Sequence, residues 1–182
     1  MATAETSILY QIGIHTTAET SCPTVPARYS HMSLSGAGFT VIGSRDRGDD
    51  ADLDEDTVNL AFSREDVDIN PPLSLTAKDS MLRKAGADVF EFVAYGGNEE
   101  LMELDSDMSV AAHVVSFGTT RTKRTVIVEV NGHWVDYYPN CVVKVTQIPA
   151  GLTEGGVGRT RFSVRPLGTS SIGGGWQRKY FS

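Results

Sequence analysis

The run Asp50-x-Asp52-x-Asp54 has the spacing that opens a calcium-binding loop, and it is the first place where residue type and spacing point to a chemistry. Such a loop next requires glycine at its sixth position and a bidentate acid at its twelfth. Glu55 and Ala61 stand there, so the run reads as a solvated, self-repelling acidic loop. Arg47-Gly48-Asp49 is a tripeptide too short to carry information. His15, His31, His113 and His133 have no metal-ligand spacing and no neighbouring cysteine. His113 and His133 fall in strand-like runs, where a structural role is expected. Cys22 and Cys141 belong to no C-x-x-C pair and read as buried free thiols of a reducing compartment. There is no G-x-S-x-G elbow, Gly36-Ala-Gly38 lacks the third glycine of a dinucleotide fingerprint, and the P-loop lysine is absent. The residues point to no catalytic centre, metal or cofactor.

What they do point to is contact. Residues 1–108 carry 20 Asp/Glu against 7 Lys/Arg (−13), and residues 109–182 carry 3 against 9 (+6), which together give the net −7. A subunit that meets copies of itself, acidic surface to basic surface, gains orientation from that split. The bland alternative is that folding interleaves the two halves. Asp46–Asp68 is the acidic extreme, with ten acids against Arg47 and Arg64. Asp52, Asp54 and Asp56 are its candidates for contact with a basic neighbour. Arg159, Arg161 and Arg165 alternate with Thr160, Phe162 and Val164, so the three arginines share the solvent face of a strand. A pI near 5.0 argues against tight nucleic-acid binding.

The elements that position these residues are mostly strands. Ile8, Tyr10, Ile12 and Ile14 alternate, as do Val58, Leu60 and Phe62, then Val126, Val128 and Val130, then Cys141, Val143 and Val145. Asn131-Gly132 followed by Trp134–Tyr138 predicts a hairpin, because both central residues of its turn need positive φ. Asn98-Glu-Glu opens a short helix over about 98–108, with Leu101, Leu104 and Met108 on one face. Residues 64–88 read as a long loop, since Pro71 and Pro72 forbid regular pairing, with a weak helical pattern over 74–85. Such a loop suits an arm that reaches a neighbour. The fold class is therefore mainly β: an antiparallel sandwich or barrel core with one flanking helix. The 182 residues form one domain, with 1–56 as an N-terminal elaboration, 57–168 as the core and 169–182 as a C-terminal arm. Trp176, beyond a glycine hinge, is either part of a last strand or an anchor laid on a neighbouring subunit. Neither a signal peptide nor an apolar run of bilayer length is expected.

The order of the strands from Thr57 to Ser63 and Asp88 to Ala94, the acidic helix, and the closing runs Thr125–Trp134, Tyr138–Gln147 and Arg159–Gly168 resembles the major tail (tail tube) proteins of long-tailed bacteriophages. The resemblance covers roughly residues 57–168 and rests on pattern and order. It implies a structural subunit without enzymatic activity or cofactor. Six copies form a ring whose inner strands join into one barrel, and rings stack around a tape-measure protein, between tail-terminator and distal tail proteins. DNA passes through the acidic hollow transiently, no membrane is involved, and the protein resides in the virion tail. Under that reading Pro71 and Pro72 lie on an inter-ring arm, and Glu91 and Glu129 are candidates for the wall of the hollow. The alternatives are another virion part (tail terminator, head–tail connector or capsid decoration protein), or a β-sandwich module in which Trp134, Tyr137, Tyr138 or Trp176 stacks on a sugar.

Overall fold

A computed structural model describes residues 10–44, 50–60, 62–69, 79–149, 158–169, 172 and 175–182, the segments 62–69 and 79–87 by backbone alone. The strands are β1 (Tyr10–His15), β2 (Thr40–Gly43), β3 (Ala51–Asn59), β4 (Phe62–Ile69), β5 (Asp79–Ala87), β6 (Phe90–Tyr95), β7 (Met108–Ala111), β8 (Val114–Phe117), β9 (Arg124–Val130), β10 (Trp134–Ile148), β11 (Arg159–Pro166) and β12 (Gln177–Tyr180); among the described residues there is one α-helix, α1 (Glu99–Glu103), and a 3-10 turn at Ser35–Ala37. Strands β11-β6-β3-β2-β1-β9-β10 run in that order, and β10 pairs back to β11, closing a mixed barrel of seven strands. Of the sandwich or barrel core expected from the sequence, the barrel is the fold, and it is mixed where antiparallel pairing throughout was expected. Its one parallel contact is β2 with β3, where Ile42 lies opposite Ala51 and Gly43 opposite Asp52.

Alternation fills the barrel. Ile12 and Ile14, Phe90 and Phe92, Val126 and Val128, Val143 and Val145, and Phe162 and Val164 all point into one core. Phe92 lies opposite Phe162 and the two rings stack at 4.8 Å, 9° from parallel. Each such side chain contributes on the order of 1.5–3 kcal/mol by leaving water. Asn131 and Gly132 have φ of 45° and 62°, and His133 N–H donates to Val130 C=O at 2.9 Å, forming the expected β9–β10 turn.

The 15 residues of β10 need partners over their whole length. On one edge β12 pairs with Trp134–Tyr137 and β11 with Cys141–Ile148; on the other, β9 pairs with Trp134–Cys141 across a bulge. Beyond the reach of β9, residues after α1 take over. Asp105 Oδ2 accepts from Val145 N–H at 2.7 Å, and Ser106 Oγ accepts from Val143 N–H at 2.9 Å. This is why α1 is shorter than expected. Asn98 does cap it, its Oδ1 accepting from Leu101 N–H at 2.9 Å, and Leu101 and Leu104 are buried. The chain then leaves the helix to serve the β10 edge, and Met108 opens β7 instead. Buried Arg124 donates to the carbonyls of Glu103, Leu104 and Asp105 at the helix end, and to that of Thr16.

Two expectations are corrected here, and the two readings of the C-terminal arm are separated. Within 64–88, residues 64–69 and 79–87 are strand and not loop: β4 and β5 pair antiparallel with a bulge between Glu65 and Asp66, and no helix forms over the described part of 74–85. Pro71 and Pro72 lie outside the described residues. The acidic loop around Asp52–Asp56 is strand β3, and the strand expected from Thr57 to Ser63 is divided between β3 and β4. The C-terminal arm pairs as β12 on its own barrel; Trp176 packs against the core, and Arg178 lies 5.4 Å from its ring. Trp176 itself stands just before that last strand and packs within its own subunit.

A second core lies outside the barrel. Residues 16–39 strap across β1, β9 and β10, burying Met32, Leu34 and Phe39 against Ile127, Val135 and Tyr137. Its clasp is Glu129, 1% exposed, which accepts from Met32 N–H at 2.8 Å and Gln11 Nε2 at 3.1 Å, with His31 Nδ1 at 2.5 Å. The barrel mouth carries a second internal charge, Asp136, fully buried and held by a bidentate pair with Arg178 at 2.7 and 2.8 Å. Replacing Arg178 with Gln strands that carboxylate, so urea unfolding is expected to show a loss of about 3 kcal/mol. A variant as stable as the parent would contradict this placement.

Candidate functional site

The outward wall of β3, β6, β11 and β10 brings acidic and basic residues together. On β11 the arginines do share the outer face: Thr160, Phe162 and Val164 are buried, Arg161 and Arg165 exposed, and Arg159 half-buried. Arg161 lies opposite Val93 on β6 and Thr146 on β10, and Val93 in turn lies opposite Asp54 on β3. Arg159 reaches across β6, over the Tyr95 ring at 5.5 Å, to Asp54 Oδ2 at 3.8 Å. The acidic and basic halves therefore meet partly within one subunit. Glu99 with His113 (2.8 Å) and Asp107 with Arg121 (2.6 Å) are further pairs of this kind.

Toward the other end of β11 the balance turns positive. A cleft of about 550 Å³ is ringed by Arg121, Lys123, Lys144 and Arg165, with Ser163 between them and Val89, Val142 and Leu167 as an apolar floor. Arg165 lies opposite Val142 and Lys144 opposite Ser163, so the strand pleat places these two cations diagonally across the β10–β11 ladder. Arg121 is bound to Asp107 in a bidentate pair, at 2.6 and 2.9 Å. That hydrogen bond holds the Asp107 carboxyl below its usual range, with smaller help from the charges of Arg121 and Lys144. Lys123 and Arg165 form no ion pair among the described residues. The arrangement suits recognition of carboxylates or other anions by fixed cations beside apolar contact.

The other candidates fall as follows. Asp52 and Asp56 are exposed on β3, and Glu91 is exposed on β6 opposite Ser163. Glu129 is not a wall residue of any hollow, because it is enclosed in the subunit by the strap. Asp50, first acid of the calcium-like run, has its Oδ2 on Val41 N–H at 2.8 Å. Among the described residues no cluster of His, Cys, Asp and Glu is arranged to hold a metal ion. Neither cysteine is in a disulfide, and burial pushes the Cys141 thiol up, away from nucleophilic use. The sugar-stacking candidates are occupied: Tyr137 and Tyr138 are buried, and Arg178 lies 5.0 Å from the Trp134 ring as well as near Trp176. His113 and His133 stand on turns, not in strands. No described helix is long and apolar enough to cross a membrane.

Sequence reasoning missed Arg121, Lys123 and Lys144. Their signal was present in Arg121-x-Lys123-Arg124 and in Lys144 at an outward position of the Cys141–Val145 alternation, but only β10–β11 pairing brings them to Arg165. The chain matches no protein-family model and no curated protein sequence.

An NMR titration is expected to find the Asp107 carboxyl ionising below the ordinary aspartate value of 3.8, and Arg121→Gln is expected to return it there. Because the folded value is the lower one, the pair's contribution is present above that pH and fades as acid is added through the folded value. An Asp107 that titrates alike in both proteins would exclude the pair in solution.

Proposed function

We propose that the chain is a structural subunit that assembles with copies of itself, and that the assembly is the tail tube of a long-tailed bacteriophage. The observation that carries this reading is the β4–β5 hairpin, whose strands pair with each other and with no third strand among the described residues. A two-stranded ribbon is marginal alone in water, and its open edges are templates for another chain. Identical ribbons set side by side around a ring give each edge a partner, as ring closure does for a barrel. A second, non-closing contact between rings then builds a filament. Charge segregation supports the same reading, since acidic β3 and the cationic cleft give the subunit two unlike surfaces. In this proposal exposed acids such as Glu91 are the remaining candidates for a wall that repels phosphate, and DNA passes without sticking. The tape-measure, terminator and distal tail proteins would be its other partners, and the virion tail its location.

Ser63 lies opposite Gly86 in the hairpin, so a two-residue Asn-Gly turn in place of residues 64–85 keeps that pair in register. Negative-stain images of the parent protein are expected to show cylinders of uniform width. The shortened variant is expected to keep its near- and far-ultraviolet circular dichroism per barrel residue, yet to sediment as a monomer. A parent protein that stays monomeric at high concentration, or that stops at a single ring, would overturn the tube reading. So would cylinders formed equally well without the hairpin.

A further inference from the structure

We infer that the cationic cleft formed by Lys123, Lys144 and Arg165 receives the carboxylates of β3 from a second copy of this chain. The inference rests on the self-assembly reading and supplies the contact that reading leaves open. Lys144 and Arg165 sit on adjacent strands two positions apart, so their charged ends occupy one diagonal of the β10–β11 ladder. Asp52 and Asp56 stand four residues apart on β3, with a register irregularity after Asp54, so they meet separate cations of the cleft. β3 offers exposed Asp52 and Asp56, neither of which has an ion pair among the described residues. Asp54 is committed to Arg159 in its own subunit, while Arg165 has no such tie among the described residues. The contact surface therefore shifts along β11 from Arg159 toward Arg165, and it includes lysines that belong to other elements.

The second copy is favoured over a nucleic acid by charge and size. A long polyanion would meet the field of a chain with net charge −7 beyond the cleft. β3 of a second copy presents its carboxylates on a wall that also bears Arg159 and Arg161, so its local charge is mixed where a polyanion's is not, and the exposed floor residue Val89 gives it apolar contact. Arg121 contributes least, because Asp107 already occupies it.

A fluorescent peptide of residues 50–60 is expected to bind the full-length protein in low salt, with affinity falling steeply toward 0.5 M NaCl. Lys144→Glu with Arg165→Glu is expected to weaken that binding by about tenfold or more, whereas Arg161→Gln changes it little. Sedimentation velocity supplies the second readout. The Lys144→Glu/Arg165→Glu variant and the Asp52→Lys/Asp56→Lys variant should each fail to associate end to end, and an equimolar mixture should associate. Equal peptide binding by the parent protein and the glutamate variant would overturn the inference, as would a DNA duplex or pyrophosphate held more tightly than the peptide by the same cations. If the glutamate variant forms cylinders as the parent does, the cleft assignment fails and the tube reading stands. If the parent forms none but still binds the peptide through these cations, the tube reading fails and the cleft assignment stands.

Discussion

Burying a strand on both edges obliges its backbone to find partners for every rung, and β10 is where this chain meets that obligation. Fifteen residues long, it is served by β9, β11 and β12, and by the side chains of Asp105 and Ser106 where β9 falls short. An amide left bare there would cost about 1–3 kcal/mol. The bulge between Tyr138 and Cys141 lets one strand change partners, β12 before it and β11 after it. Barrel closure, the short helix and the capture of the C-terminus all follow from that one requirement. So does the cleft, because β10 and β11 form its floor only while they remain paired.

Two interior charges show how closely the outside of the barrel is tied to its wall. Glu129 anchors the strap to β9, and Asp136 anchors β12 to β10. Each is a carboxylate enclosed among apolar side chains, tolerable because its oxygens are met by donors. Gly132 tightens the same region. At φ +62°, a Cβ there would come within 2.8 Å of Ser30 O, so the hairpin turn and the strap fit only because that position is glycine.

The parts of the fold legible from sequence were those governed by alternation: β1, β9, β10 and β11, the Asn131-Gly132 turn and the face of the arginines. Asn98 announced the helix start, but no local signal marked its end, which is set by the amides of Val143 and Val145 far along the chain. The β4–β5 hairpin was hidden because Pro71-Pro72 argued for a loop and because acids interrupt its apolar pattern. Glu129 was misread for a physical reason. In Val126–Val130 it falls on the face of Ile127, which is normally solvated, and nothing in residues 16–39 advertises that they cover it. The cleft was half legible, its arginines visible by spacing and its lysines only by pairing.

The parallel junction of β2 and β3 has a consequence for how the molecule breathes. The strands are staggered, the end of β2 beside the start of β3, and the register joins them at two positions. The antiparallel ladders around the rest of the ring are mostly longer, so the cylinder has a zipper with most of its teeth on one side. Fewer rungs join the wall at this seam than at any other in the barrel register. A wall that parts at one known line can flex without losing its core, which is a useful property in any subunit that must settle against its neighbours.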